Sequence, residues 1–220
     1  MSQGNNMSIS PVEFASLLCS RLCHDLLSPV GALNNGLELL TDEPDEAMRA
    51  RVFELLAESA RTSANKLKFF RLAFGAAGGF GELVDSREAK IAIEGLLADN
   101  KRIDFNWIVE AEQLPKAAIK VVLNLVLVAS EALARGGTLA VGGEEHDGRV
   151  EIVVQIEGQR IVLDPEMRTT LIDGTSTDGV TPRTAACYLI HQIVREAGGS
   201  VLVSTPADNV MIFGAVFGAR

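Results

Sequence analysis

Two apolar runs at spacings of three and four constrain this chain more than any other feature of it. The first is Leu22, Leu26, Val30, Leu33, Leu37 and Leu40. The second is Met48, Val52, Leu55, Leu67, Phe70 and Phe74, continued across Ser59 and Ser63. At 3.6 residues per turn each run forms one seam along a helix. Ser10-Pro11-Val12-Glu13 joins a capping serine, a proline at the first helical position and a glutamate three after the cap, so the first helix is predicted to start there and run to about Leu40. Thr41-Asp42-Glu43-Pro44 then reads as a tight connection. Two helices of about 30 residues cannot enclose a core alone, so the hairpin is expected to pair with its own copy as an antiparallel four-helix bundle, a homodimer.

Gly75-Ala76-Ala77-Gly78-Gly79-Phe80-Gly81 is too rich in glycine for a helix interior and reads as a linker, dividing the chain into residues 1–74, 75–81 and 82–220. Beyond it the pattern predicts helices over 88–98, 115–134 and 184–197, and strands over 102–110, 138–142, 149–157, 201–204 and 210–217. The fold class is therefore α+β: a helical hairpin followed by helices packed on one face of a largely antiparallel sheet.

Charge narrows the function. With a formal net charge of -9, a pI near 4.9 and no basic run, the chain is not built to bind nucleic acid, which needs clustered Lys and Arg. The most apolar stretch, Ala117 to Leu133, is interrupted by Lys120, Asn124 and Glu131 and falls short of the roughly 20 apolar residues of a membrane span. The polar start, Met1 to Ser10, has no secretory pattern, and a cytoplasmic location is predicted. Cys19, Cys23 and Cys187 are expected as free thiols. Cys19 and Cys23 point toward the seam side and diverge from His24, so they do not complete a tetrahedral metal site. His146, in a predicted turn, and His191, on a predicted helix, have no nucleophile or full ligand set near them and read as structural.

His24 differs. Stepping about 100° per residue from Leu22 puts it roughly 200° away, opposite the seam and facing solvent. Ser20, Ser28 and Gly31 on that face are small, and Arg21 lies one turn before the histidine. An ordinary surface histidine is the plain alternative. An imidazole near pH 7 is largely neutral and nucleophilic, however, so an exposed one can attack phosphorus without a strong base. Asp25 either accepts a hydrogen bond from the ring and sets its tautomer, or stands as a solvated acid. Arg21 either offsets charge on an incoming phosphoryl group or is a surface cation. Pro29, inside the helix, removes a hydrogen bond and bends the rod, together costing about 3 kcal/mol in an ordinary helix, which marks either use beside His24 or a tolerated kink. A hairpin turning near Asp42 would bring Arg61 beside His24, with Asn65 and Lys68 on the same polar side. With Leu27, Ser28 and Gly31 these would frame a docking face.

The segment Arg21-Leu22-Cys23-His24-Asp25-Leu26-Leu27-Ser28-Pro29-Val30-Gly31-Ala32 resembles the phosphoacceptor box of histidine kinases, and more closely that of ChpT-type histidine phosphotransferases of alphaproteobacterial cell-cycle phosphorelays. The resemblance implies that His24 relays a phosphoryl group between receiver-domain aspartates, with magnesium supplied by the receivers and no cofactor bound by this chain. It implies a CckA-like hybrid kinase as donor and CtrA-like and CpdR-like response regulators as acceptors.

The order of elements after Gly81 is similar to the ATP-binding (Bergerat) domain of histidine kinases, with its nucleotide contacts changed. Asn124-Leu125 fits the start of that family's asparagine box, but Val128 stands where the metal-binding asparagine would fall. Glu157-Gly158-Gln159-Arg160-Ile161 keeps one glycine of the adenine box, and Thr181-Pro182-Arg183-Thr184-Ala185-Ala186 has no glycine-rich lid. Gly198-Gly199-Ser200-Val201 still resembles the family. Asp173 to Gly179 has acids and no following lysine, so it reads as a surface loop rather than a phosphate loop. The expected function is phosphotransfer without ATP. The alternatives are an autophosphorylating kinase with a divergent ATP site and a non-catalytic receiver-binding adaptor.

Overall fold

The computed structural model describes residues 9–75, 83–175 and 179–218; most of the predicted glycine linker and the middle of the Asp173–Gly179 loop lie outside them. Helix α1 (Pro11–Asp42) opens at the predicted signal, with the Ser10 hydroxyl accepting the Glu13 amide at 3.2 Å and Pro11 at the first position. It continues through Thr41 and Asp42, so the chain reverses over Glu43 to Asp45, later than the sequence suggested. Asp45 caps α2 (Glu46–Ala73), its carboxylate accepting the Ala47 amide at 3.1 Å. The helices close on each other where α1 is smallest. A Cβ on Gly36 would lie 2.7 Å from Cδ2 of Leu56, with Val52 beside it.

The rest of the chain runs β1 (Leu83–Asp85), α3 (Ser86–Leu97), β2 (Ile103–Trp107), β3 (Gln113–Pro115), α4 (Lys116–Ala132), β4 (Gly137–His146), β5 (Arg149–Glu157), α5 (Pro165–Asp173), α6 (Ala185–Glu196), β6 (Ser200–Val203) and β7 (Val210–Gly218). The main sheet has the order β2-β4-β5-β7-β6, parallel at β2–β4 and antiparallel at the other pairings, while β1 and β3 form a separate pair. Val150, Ile152, Val154 and Ile156 of β5 point inward, and their neighbours in sequence point out. The β4–β5 reversal needs only Asp147 and Gly148, both at positive φ (51° and 73°), the geometry of a two-residue hairpin turn.

Helix α4 is buried at almost every position from Ala118 to Ala129 because the sheet lies beneath it and α2, α3 and α6 pack around it. The last turns of α2 enter this core: Phe69, Phe70, Leu72 and Ala73 are buried with α4. Phe70, predicted on the seam of the bundle, is therefore covered within the chain, and so is Val52. The hairpin leaves a different strip open. Cys23, Val30 and Leu37 on α1, and Phe53, Ala60 and Leu67 on α2, recur every seven residues and are all exposed.

The two helical glycines of α1 give a stability test. No atom lies within 4 Å of a Cβ on Gly31, so Gly31→Ala should stabilise the chain by about 0.5–1 kcal/mol through backbone entropy. Gly36→Leu should destabilise it by about 1–3 kcal/mol through overpacking against Leu56. Urea unfolding that finds the two variants equally stable would contradict this packing.

Candidate functional site

Inside an α-helix each carbonyl accepts the amide four residues on, and proline has no amide to give. Pro29 therefore frees the carbonyl of Asp25. Lys66 of α2 takes it, its Nζ donating to the Asp25 carbonyl at 2.9 Å. This crosslink fixes α1 against α2 one residue from His24.

The Asp25 carboxylate is held as firmly as its backbone. Oδ2 accepts from Arg21 Nε at 2.8 Å, and Oδ1 lies 3.2 Å from Nδ1 of His24. A carboxylate can only accept, so in this contact the neutral ring carries its proton on Nδ1 and leaves the lone pair on Nε2. The His24 side chain is 84% exposed. Arg21 is largely buried, and its far nitrogen pairs with Glu131 of α4. Burial works against the guanidinium charge, but the field of Glu131 and the hydrogen bonds to Asp25 and Glu131 outweigh it and raise the arginine above its ordinary value.

Around His24 a recess is lined by Ser20, Arg21 and Asp25 of α1, Glu131 of α4, and Thr181, Pro182 and Arg183 ahead of α6. The last three are held in place. The Thr181 amide donates to the Thr184 hydroxyl at 2.9 Å, and Arg183 pairs at 3.0 Å with Asp164, the cap of α5. The base of α1 docks nearby, Phe14 packing edge-on against Tyr188 of α6 at 5.0 Å between ring centroids.

The residues predicted to frame His24 separate into groups. Leu27 is exposed and Gly31 faces open space. Ser28 lines a different cleft, with Pro29, Lys66 and Asp99. Arg61 is exposed, while Asn65 and Lys68 line a recess against Glu88 and Ile91 of α3. None of Arg61, Asn65 and Lys68 lines the His24 recess. The later reversal slides the hairpin register by more than a turn, so that Lys66 rather than Arg61 stands beside Asp25, and Asn65 and Lys68 are turned toward α3. Glu131, Thr181, Pro182 and Arg183 were not found from sequence. The one available signal was Glu131 itself, the single acid in a largely apolar helix.

The remaining reactive groups lie elsewhere. Cys19 and Cys23 are exposed in the single chain, Cys23 on the open strip with Val30 and Leu37, since the side of α1 facing α2 is centred on Leu22, Pro29 and Gly36. Cys187 is buried, which pushes its thiol up. His191 Nδ1 lies 3.2 Å from the Leu171 carbonyl, and His146 is exposed beside Asp147. Among the described residues no group of three His, Cys, Asp or Glu side chains is placed to hold a metal. The asparagine-box position is turned inward: Asn124 Nδ2 donates to the carbonyls of Ala73 and Lys120 at 3.1 and 2.8 Å, and Val128 is buried. These two residues do not fit the magnesium site of an ATP-binding domain.

A family model described as histidine phosphotransferase C-terminal domain matches residues 86–209. The protein phosphotransferase ChpT of Brucella abortus (strain 2308) is 33% identical over 207 residues, spanning 93% of this chain and 96% of that protein. A solved bacterial phosphotransferase is similar at 30% identity and a TM-score of 0.84, covering 95% of this chain and 98% of that one.

The lysine clamp is measurable by a double-mutant cycle. Lys66→Met leaves the part-buried Asp25 carbonyl without a donor and should cost about 1–3 kcal/mol. In a Pro29→Ala background, where residue 29 again offers an amide, the same change should cost at least about 0.5 kcal/mol less. Strict additivity in urea unfolding would contradict the clamp.

Proposed function

The chain belongs to the histidine phosphotransferase family, and from that premise we propose that His24 is the residue on which it carries the phosphoryl group. The observation that supports this is the exposed His24 ring with Nδ1 directed at Asp25. Nε2 attacks the phosphorus of an aspartyl phosphate on one receiver domain. The bond between phosphorus and the donor carboxylate oxygen breaks, and the carboxylate leaves. The new N–P bond puts positive charge on the imidazole, which the Nδ1–H···Asp25 contact stabilises. Attack by a second receiver's aspartate reverses the sequence and frees the ring. Magnesium in this reading belongs to the receivers. Donor and acceptors are a CckA-like hybrid kinase and CtrA-like and CpdR-like regulators, in a cell-cycle relay.

Receiver docking is assigned to the ground around the ring: Leu27 and Gly31 on α1, and Pro182 and Arg183 across the recess. The hairpin acts as the transfer and dimerisation unit, and the α/β unit as its scaffold. A second copy covers the heptad strip of Val30, Leu37, Phe53 and Leu67, which is apolar and exposed in one chain. No described helix is long and apolar enough to cross a membrane, and a cytoplasmic relay fits this reading.

Three measurements test it. Radiolabelled phosphate from a charged receiver should enter the wild type and pass to an acceptor, whereas His24→Ala should stay unlabelled with its fold intact; full labelling of that variant would end the assignment. Calorimetry should find no binding of Mg-ATP, and a dissociation constant of about 1 mM or tighter would restore the kinase reading. Light scattering at micromolar concentration should find a dimer, and Leu37→Glu should yield a folded monomer. A wild-type monomer would overturn the bundle.

A further inference from the structure

The link from α4 to the histidine crosses between the two parts of the chain. Starting from the α/β unit, a carboxylate oxygen of Glu131 meets the far nitrogen of Arg21, Arg21 Nε meets Oδ2 of Asp25 at 2.8 Å, and Oδ1 of Asp25 lies 3.2 Å from His24 Nδ1. The two oxygens of Asp25 are thus divided between two partners. The guanidinium is divided between two carboxylates.

We propose that Glu131 is a positioning residue for His24, acting through Arg21 and Asp25 to hold the imidazole in the tautomer with a free Nε2. The inference rests on the reading of His24 as phosphoacceptor and adds to it a role for the α/β unit.

The physical argument concerns how one arginine is shared. Arg21 is largely buried, so its charge must be met by neighbouring carboxylates. Glu131 fixes the far end of the planar fork, which leaves Nε as the edge presented to Asp25. With the fork so held, Asp25 is bound by one oxygen and keeps the other for the ring. Without Glu131, the fork is free to swing and take both Asp25 oxygens in the bidentate geometry that guanidinium and carboxylate favour. The ring then loses the acceptor that selects its tautomer. Arg21 and Asp25 are one turn apart on α1 and would stay paired in either case. Their pairing alone therefore does not set the ring, and the contribution from α4 does.

Glu131 is also well placed to transmit the position of the domain. It lies near the end of α4, whose preceding turns are locked in the core, so a movement of α4 relative to α1 also moves the base from which its carboxylate reaches Arg21. Thr181 to Arg183, on the opposite rim, belong to the same α/β unit.

The test uses the full-length protein and phosphoramidate, a small donor that transfers its phosphoryl group to imidazole nitrogen with loss of ammonia and needs no docking surface. Nitrogen-15 NMR of the His24 ring reads the tautomer directly, and a merely structural role for Glu131 would not move it. In the wild type the proton should sit on Nδ1. Glu131→Ala should shift the population toward the Nε2-protonated form and slow phosphorylation about tenfold, the size of effect typical of an outer partner of a hydrogen-bonded histidine. Glu131→Gln keeps an oxygen for Arg21 and should retain the wild-type tautomer. An unchanged tautomer and rate in Glu131→Ala would overturn the proposal. His24→Ala reports separately: labelling by phosphoramidate at the wild-type rate would remove the acceptor assignment, while the tautomer of the Glu131 variants would still decide the positioning role.

Discussion

A single missing amide organises this molecule. Pro29 cannot return the hydrogen bond that the Asp25 carbonyl expects, and Lys66 reaches across from α2 to supply it at 2.9 Å. A carbonyl inside a helix is normally closed to other elements. Here the opened carbonyl ties α1 to α2 and anchors the backbone of the residue whose carboxylate faces His24. A proline that would cost about 3 kcal/mol in an isolated helix thereby becomes the point at which two helices are tied beside the reactive ring.

A second polar contact joins the hairpin to the α/β unit. Asn124 turns inward to tie α4 to the end of α2 through the Ala73 carbonyl, which joins the hairpin to the core. Its Oδ1 has no hydrogen-bond partner among the described residues, so the contact is held at some cost in desolvation. The segment from Thr181 to Thr184 is a cross-bonded turn on the rim of the His24 recess.

What could be read from sequence follows from how local the cause was. The helical hairpin, α4, the β4–β5 hairpin and the exposure of His24 depend on periodicity and caps within a few turns, and all were legible. Helix α5 carried its own signal, Asp164-Pro165-Glu166, and was overlooked; β1 and β3 are three residues each and too short to show a period. The hairpin register failed because two further residues of helix, Thr41 and Asp42, move every facing pair. Glu131 lies 110 residues from Arg21, and no pattern along the chain predicts that pairing. The seam also misled in part, because α1 has two apolar sides, one facing α2 and one left open. Residues such as Cys23 and Leu37 belong to the open side.

The central claim is chemical, that the phosphoryl group resides on one nitrogen of one histidine. Phosphorus–nitrogen couplings in the NMR spectrum of the phosphorylated protein, with site mapping by tandem mass spectrometry under alkaline conditions, read that atom directly. The account predicts one phosphoryl group per chain, on Nε2 of His24. A phosphoryl group on Nδ1 of His24, or on His146, His191 or Asp25, would contradict it.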